Sequence, residues 1–75
     1  MGIELKCFAT LAKFVPEDGD DYPIEQGETV EGVIVKLGIP VEEVSLMFIN
    51  SARAYLHSEL KDGDRLGLFP PVGGG

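Results

Sequence analysis

The sequence predicts an α+β fold, a roll in which a mixed sheet of four to five strands packs against one main helix. Three observations favour it. The first residues alternate between apolar and polar side chains, a central segment has helical apolar spacing, and short apolar runs separated by turn signals follow. With 75 residues and 44% hydrophobic content, the chain is long enough for one small domain with its own core.

Residues 3–9 form the first predicted strand, because apolar side chains occupy every second position. The inward positions are Ile3, Leu5, Cys7 and Ala9. Phe8 falls on the outward face together with the charged residues Glu4 and Lys6. The alternation therefore predicts an aromatic side chain on the solvent side of the sheet.

The segment between this strand and the helix is predicted to be mostly irregular. Thr10 can cap a short helical turn that Pro16 ends, and residues 17–21 form an acidic loop. Residues 21–25 are predicted to form a short strand. Because Pro23 has no N–H to donate, that strand is expected at an edge of the sheet.

Residues 29–37 are predicted to form the main helix. Apolar side chains at helical spacing make one stripe, which consists of Val30, Val33, Ile34 and Leu37. Glu28 or Thr29 can serve as N-cap, Gly38 suits the position after the last turn, and Pro40 stops the helix. Valine is a poor helix former, so a buried strand is the competing interpretation. The spacing and the cap signals favour the helix.

The second half of the chain is predicted to supply the remaining strands. Residues 41–44 can add one more helical turn, and the apolar run 46–49 indicates a buried strand. Asn50 and Ser51 offer a turn, after which residues 54–56 return as a short strand.

The last strand is predicted over residues 65–69, after the strong turn signal Asp-Gly-Asp at 62–64. Leu66 and Leu68 face the core, whereas Arg65 and Phe69 face outward. Phe69 and Phe8 then share the outward face. Such a patch is typical of a protein-binding surface, although outward aromatics can also simply cover a neighbour.

Charge and composition exclude several classes of function. The formal net charge of −7 disfavours nucleic-acid binding; it can steer the chain toward a basic protein or serve solubility alone. The single Cys7 excludes an internal disulfide and a cysteine zinc cluster, which fits a reducing cytoplasm. No apolar run is long enough to span a membrane, and there is no signal-peptide pattern. We therefore expect a cytoplasmic location with no membrane partner.

The last six residues form a distinctive segment, Pro70-Pro71-Val72-Gly73-Gly74-Gly75. The two prolines hold the chain extended and cannot continue a sheet ladder, and the glycines have no Cβ. We expect a domain over residues 1–72 and a flexible tail over 73–75 that presents a carboxylate in a narrow channel.

Residues 60–75 resemble the C-terminal signature of the MoaD/ThiS family, ubiquitin-like sulfur carriers with the β-grasp fold. In that family an Asp-Gly-Asp type turn feeds the last strand and the chain ends in Gly-Gly. The Pro-Pro-Val element is similar to the MoaD branch, the small subunit of molybdopterin synthase, and Asn50 also resembles a family position. The chain departs from the pattern at Gly73, in the glycine-free turn after Ile49 and in its valine-rich helix.

The resemblance implies a function for the terminal residues Gly74 and Gly75. A MoeB-like, E1-like enzyme would use ATP to adenylate the Gly75 carboxylate, and sulfur would then replace the adenylate to leave a thiocarboxylate. A MoaE-like large subunit of molybdopterin synthase would be the second partner. The chain would bind no cofactor and no metal itself and would not be catalytic alone.

Three alternatives remain open at this stage. One is a ubiquitin-like modifier that is conjugated to other proteins through Gly75. Another is a ThiS-like carrier that supplies sulfur for the thiamin thiazole. The third is a β-grasp binding module in which the glycines have no chemical role.

The partner-binding residues that we predict are Phe8, Leu56, Phe69, Pro70, Pro71, Val72 and Gly73. Other chemistry-bearing residues are interpreted as structural. Asp62 and Asp64 flank a turn glycine without an accompanying base, Cys7 faces the core, and His57 has no second ligand at metal spacing. Arg53 and Arg65 are expected to be surface charges, and pairing of Arg65, near the tail, with an acidic group of a partner is the alternative.

Overall fold

The structure is a computed structural model and describes residues 1–71. Its strands are β1 (Gly2–Cys7), β2 (Tyr22–Pro23), β3 (Leu46–Ile49), β4 (Ala52–Ala54) and β5 (Arg65–Phe69), and its α-helix is α1 (Val30–Leu37). Short 3₁₀ turns cover Ala9–Phe14, Gly19–Asp21 and Val41–Glu43. The predicted elements are therefore present in the predicted order.

The five strands form one mixed sheet in the order β2-β1-β5-β3-β4. The central strands β1 and β5 run parallel, with Leu5 opposite Leu66, and the other pairs are antiparallel. The two-residue strand β2 lies at one edge, as Pro23 predicts. With one main helix against it, this sheet is the predicted β-grasp roll.

Helix α1 covers one face of the sheet and closes the core. The Thr29 hydroxyl accepts a hydrogen bond from the Gly32 N–H at 3.2 Å, and Gly38 ends the helix with a φ of 79°. Val30 and Val33 are fully buried and join one core cluster with residues of β1 and β5. Burying each valine contributes about 1.5 kcal/mol or more, which exceeds its helix-propensity penalty of about 0.7 kcal/mol at most. Burial in the core therefore offsets the low helix propensity of the valines.

The loop after β4 fixes the start of the helix. The N–H groups of Val30 and Glu31 donate to the carbonyls of Ser58 and Leu56, at 3.0 and 2.9 Å. Leu56 is half-buried and packs against the core. The loop thus satisfies N–H groups that the first turn of a helix leaves free.

Four local predictions are wrong. Strand β1 ends at Cys7, so Ala9 is not an inward strand position: it begins the following 3₁₀ turn with a φ of 53° and is exposed. The turn at Ala9–Phe14 is not capped by Thr10, because Phe8 holds the cap position without a side-chain hydrogen bond. Strand β4 covers Ala52–Ala54 and not 54–56. In β3 only Met47 is buried, since the hydrophobic core lies against one face of the strand and leaves the other open.

Neither a membrane-spanning helix nor a metal-binding cluster is present within residues 1–71. No helix there has the length and apolar character that crossing a membrane requires. No cluster of three or more His, Cys, Asp and Glu side chains in the same part of the chain is arranged to hold a metal ion.

Candidate protein-binding site

The face of the sheet opposite α1 carries an aromatic cluster, which consists of Phe8, Phe48 and Phe69. The rings of Phe8 and Phe69 are stacked, with centroids 4.3 Å apart and planes 6° from parallel. Phe48 meets Phe69 edge to face, with centroids 5.6 Å apart. Phe8 is 41% exposed. The three rings stabilise one another by these contacts, and the cluster still presents apolar surface to a partner.

The strand register explains why the three rings meet. β1 and β5 run parallel, so the chain beyond Cys7 and the end of β5 lie side by side, and the Phe8 N–H donates to the Leu68 carbonyl at 3.1 Å. Phe48 stands directly opposite Gly67, next to Phe69. Outward positions of three adjacent strands therefore converge near the end of β5.

Gly67 lies beneath the rings. A Cβ built at this position would lie 3.6 Å from Phe8 Cε2 and 3.7 Å from a ring carbon of Phe69. An open groove of about 420 Å³ lies beside the cluster, with Gly67 in its lining and Glu4, Lys6 and Arg65 on its walls. The groove has an apolar floor and a charged rim, which is the composition of a protein interface.

The structure brings Phe8 and Phe69 together, as the alternation predicts. Pro70 and Pro71 follow directly, half-buried and exposed respectively. Leu56 does not join this patch, so its predicted place there is wrong: it packs against the core beside the start of the helix. The predictions for Val72, Gly73, Gly74 and Gly75 lie outside the described residues.

Phe48 was not predicted as a site residue. The continuous apolar run 46–49 indicates a buried strand. Because all four side chains are apolar, the sequence does not distinguish its core-facing positions from its outward positions. The signal that could have found Phe48 is pairing: Met47 lies opposite Leu68, which faces the core, so Phe48 must face outward.

The other chemistry-bearing side chains have structural roles. Burial raises the pKa of the Cys7 thiol, which favours its protonated form. Asp62 accepts a hydrogen bond from the Gly2 N–H at 2.8 Å. Asp64 accepts from the Lys61 N–H and from the Asn50 amide. His57 stacks on Tyr55.

A β-grasp domain of this size, with an exposed aromatic cluster at the end of its last strand, defines a small ubiquitin-like protein. The model of the ThiS family matches residues 5–75, and the chain belongs to that family. The fold is accordingly that of the ubiquitin-like sulfur carriers. A search of curated proteins gives no match.

Solved structures agree with this assignment. SAMP1 from Haloferax volcanii is 26% identical with a TM-score of 0.70, and the match covers 100% of both chains. A protein assigned as molybdopterin converting factor, subunit 1, from Pyrococcus furiosus is 23% identical with a TM-score of 0.69, over 96% of this chain and 99% of that one. The second likeness shows the fold alone.

Proposed function

We propose that this protein is a sulfur carrier whose Gly75 carboxylate is adenylated by an E1-like enzyme and converted to a thiocarboxylate. The observation that carries the proposal is the extent of the ThiS family match. It runs through residue 75 and so includes both the strand with Phe69 and the Gly74-Gly75 pair.

The chemistry explains why an activating enzyme is needed. A carboxylate is a poor electrophile, and its attack on the α-phosphate of ATP releases pyrophosphate and creates an acyl-adenylate. A persulfide sulfur on the donor attacks that carbonyl, and AMP leaves with one carboxylate oxygen. A thiol then attacks the donor's sulfur in the acyl disulfide, which releases the thiocarboxylate and leaves a disulfide between that thiol and the donor. ATP is a substrate of the partner and is not held by this chain.

The aromatic cluster suits the docking step of this cycle. Phe69 ends β5, and the rigid Pro70-Pro71 element follows at once. Six residues lead from Phe69 to Gly75, which sets a reach of at most about 20 Å. A partner that binds the cluster can therefore bind the Gly75 carboxylate in a pocket at most that far from Phe69.

The preferred sulfur acceptor is the pterin precursor of molybdopterin. The support is the Pro70-Pro71-Val72 element, which resembles the MoaD branch of the family. In this role the partners are a MoeB-like activating enzyme and a MoaE-like large synthase subunit. A ThiS-like role in thiamin thiazole synthesis uses the same activated carboxylate and a different acceptor.

A second candidate is a protein modifier that forms isopeptide bonds through Gly75. The observation that favours it is the similarity over the full chain to SAMP1, since the same organism's structure described as small archaeal modifier protein 1 is 25% identical. Both candidates need the same adenylate. They differ in whether sulfur or a lysine amine attacks it.

One reaction separates the two candidates. The protein is incubated with the activating enzyme of its own host, ATP and a sulfur source, and its intact mass is then measured. One oxygen replaced by one sulfur supports the carrier, whereas ladders of conjugated protein support the modifier. Neither product should form from a variant that lacks Gly75. If an enzyme proven competent on another carrier gives neither product, the proposed function is wrong.

A further inference from the structure

The outer face of the sheet changes from apolar to charged along the strands. Phe8, Phe69 and Leu46 form the level next to Pro70, and Lys6, Gly67, Phe48 and Arg53 form the middle level. At the far level, Glu4 of β1 lies directly opposite Arg65 of β5 in the strand register. Four residue steps separate Phe69 from Arg65, a distance of about 13 Å along the strand.

The charge of this face is opposite to that of the chain. Three of the six lysines and arginines, namely Lys6, Arg53 and Arg65, occupy its outward positions, while Glu4 is the carboxylate among them. The face is therefore locally positive on a chain of net charge −7. Such a dipolar distribution orients the molecule as it approaches a charged partner.

The two arginines are free to bind a partner's carboxylates. Within residues 1–71, the ion pairs are Lys6 with Glu4 at 3.4 Å and Lys36 with Glu28 at 2.7 Å, and neither arginine takes part. Arg53 lies over the ring of Tyr55, with 5.2 Å from its guanidinium carbon to the ring centroid. Asp64, just before β5, is already bound to the Asn50 amide and the Lys61 N–H.

We propose that the activating enzyme's docking surface is acidic, with an apolar recess for Phe8 and Phe69 near the entrance to its nucleotide site and carboxylates farther away that bind Arg65 and Arg53. This inference rests on the proposed function and specifies the chemistry of the partner. It reverses the expectation from net charge, under which a basic partner would bind the acidic loops. An acidic partner is repelled by the net negative charge of the chain and attracted by this face, which favours one direction of entry for the tail.

The experiment compares charge reversals on and off the face. Dissociation constants for the host's activating enzyme are measured for the wild type, Arg53→Glu, Arg65→Glu and the control Lys61→Glu, which changes the same charge in the turn before β5. Thermal melting confirms that each variant is folded. Pyrophosphate release at saturating carrier reports activation independently of affinity.

We expect each arginine reversal to weaken binding about tenfold or more at about 0.15 M salt, with the release rate at saturation unchanged. Lys61→Glu should shift affinity less than about threefold, because screening over about 8 Å suppresses charges outside the contact. Added salt should weaken the binding of the wild type to the enzyme. It should also reduce the difference in affinity between the wild type and the two arginine variants. Two results would contradict the acidic partner surface while the carrier function stands. In the first, activation proceeds but the affinity changes neither with salt nor with either arginine reversal. In the second, Lys61→Glu weakens binding as much as the arginine reversals do. If a competent enzyme releases no pyrophosphate with any form, both proposals fail.

Discussion

The ring of Phe8 lies flat against the ring of Phe69, with centroids 4.3 Å apart. These residues come from opposite ends of the chain and meet because β1 and β5 are parallel neighbours. The stack places an apolar surface directly before Pro70, where the tail leaves the domain. The surface proposed for docking is thus followed at once by Pro70 and Pro71, which begin the segment that leads to Gly75.

Replacing Phe69 with alanine should weaken binding to the activating enzyme while the protein remains folded. Phe69 is central in the aromatic cluster, and a central interface aromatic contributes more than about 1.4 kcal/mol, a factor of about ten in affinity. Affinity can be measured by titration calorimetry, with circular dichroism to check the fold. Val35→Ala is the matched control, because Val35 is an exposed apolar residue on the helix side. Unchanged affinity in folded Phe69→Ala would contradict the docking role.

Asn50→Ala should destabilise the domain by about 2 kcal/mol. The Asn50 amide donates to the Asp64 carboxylate and its oxygen accepts from the Arg65 N–H, both at 2.9 Å. Its φ of 53° adds backbone strain once alanine replaces asparagine. Urea unfolding measures the loss. Asn50→Gly removes the same hydrogen bonds without the strain and should lose about half as much, so equal losses in both variants would exclude the strain contribution.

Ser51→Gly should stabilise the protein by up to about 1 kcal/mol. Asn50 and Ser51 form a two-residue hairpin loop with positive φ at both positions, 53° and 72°, and glycine suits the second position far better than serine. Ser51 is exposed, so little packing is lost. Thermal melting and urea unfolding should both shift upward. A lower stability would show that the serine makes a favourable contact that offsets its backbone strain.

The Glu28–Lys36 pair should make stability depend on pH in a defined direction. Partial burial raises the pKa of Glu28, but the Lys36 ammonium, 2.7 Å from Oε2, and the Glu25 N–H together bring it below its ordinary value. A lowered pKa contributes stability above the ordinary glutamate pKa, and that stability is lost as pH falls through the folded value. The pKa of Lys36 is raised, chiefly by its hydrogen bond to Glu28, so its contribution is lost only in strong alkali.

Lys36→Gln tests this linkage. The variant should be less stable than the wild type by about 0.5 kcal/mol at neutral pH, in the range of exposed ion pairs. The difference should shrink as the pH is lowered through the folded pKa of Glu28. Urea unfolding at several pH values measures it, and a difference that stays constant into acid would contradict the ion pair as its cause.

The sequence predicted those elements whose signals are local. The apolar stripe with Thr29 and Gly38 at its ends defined the helix, and alternation placed Phe8 and Phe69 outward. The start of β4 could not be predicted in the same way. It depends on positive φ at Asn50 and Ser51, which places Ile49 directly opposite Ala52. A turn sequence without glycine does not predict positive φ at both positions.

The sequence predicted only part of the site, because two of its assignments depend on contacts between distant segments. Phe48 stands in an apolar run, and only its pairing with Gly67 reveals that it faces outward. Leu56 was predicted to be a partner-binding residue, yet its loop turns back toward the helix, where the Leu56 carbonyl accepts a hydrogen bond from the Glu31 N–H. Contacts between distant segments determine both positions, and a residue pattern along one segment does not contain them.

The most direct test of the central claim is fragment mass spectrometry of the protein after reaction with its activating enzyme, ATP and a sulfur donor. The account predicts that one oxygen is replaced by one sulfur and that every fragment with this change contains Gly75. A whole sulfur atom added to fragments that contain Cys7, the chain's single cysteine, would contradict it. So would an unchanged Gly75 in the presence of a competent enzyme.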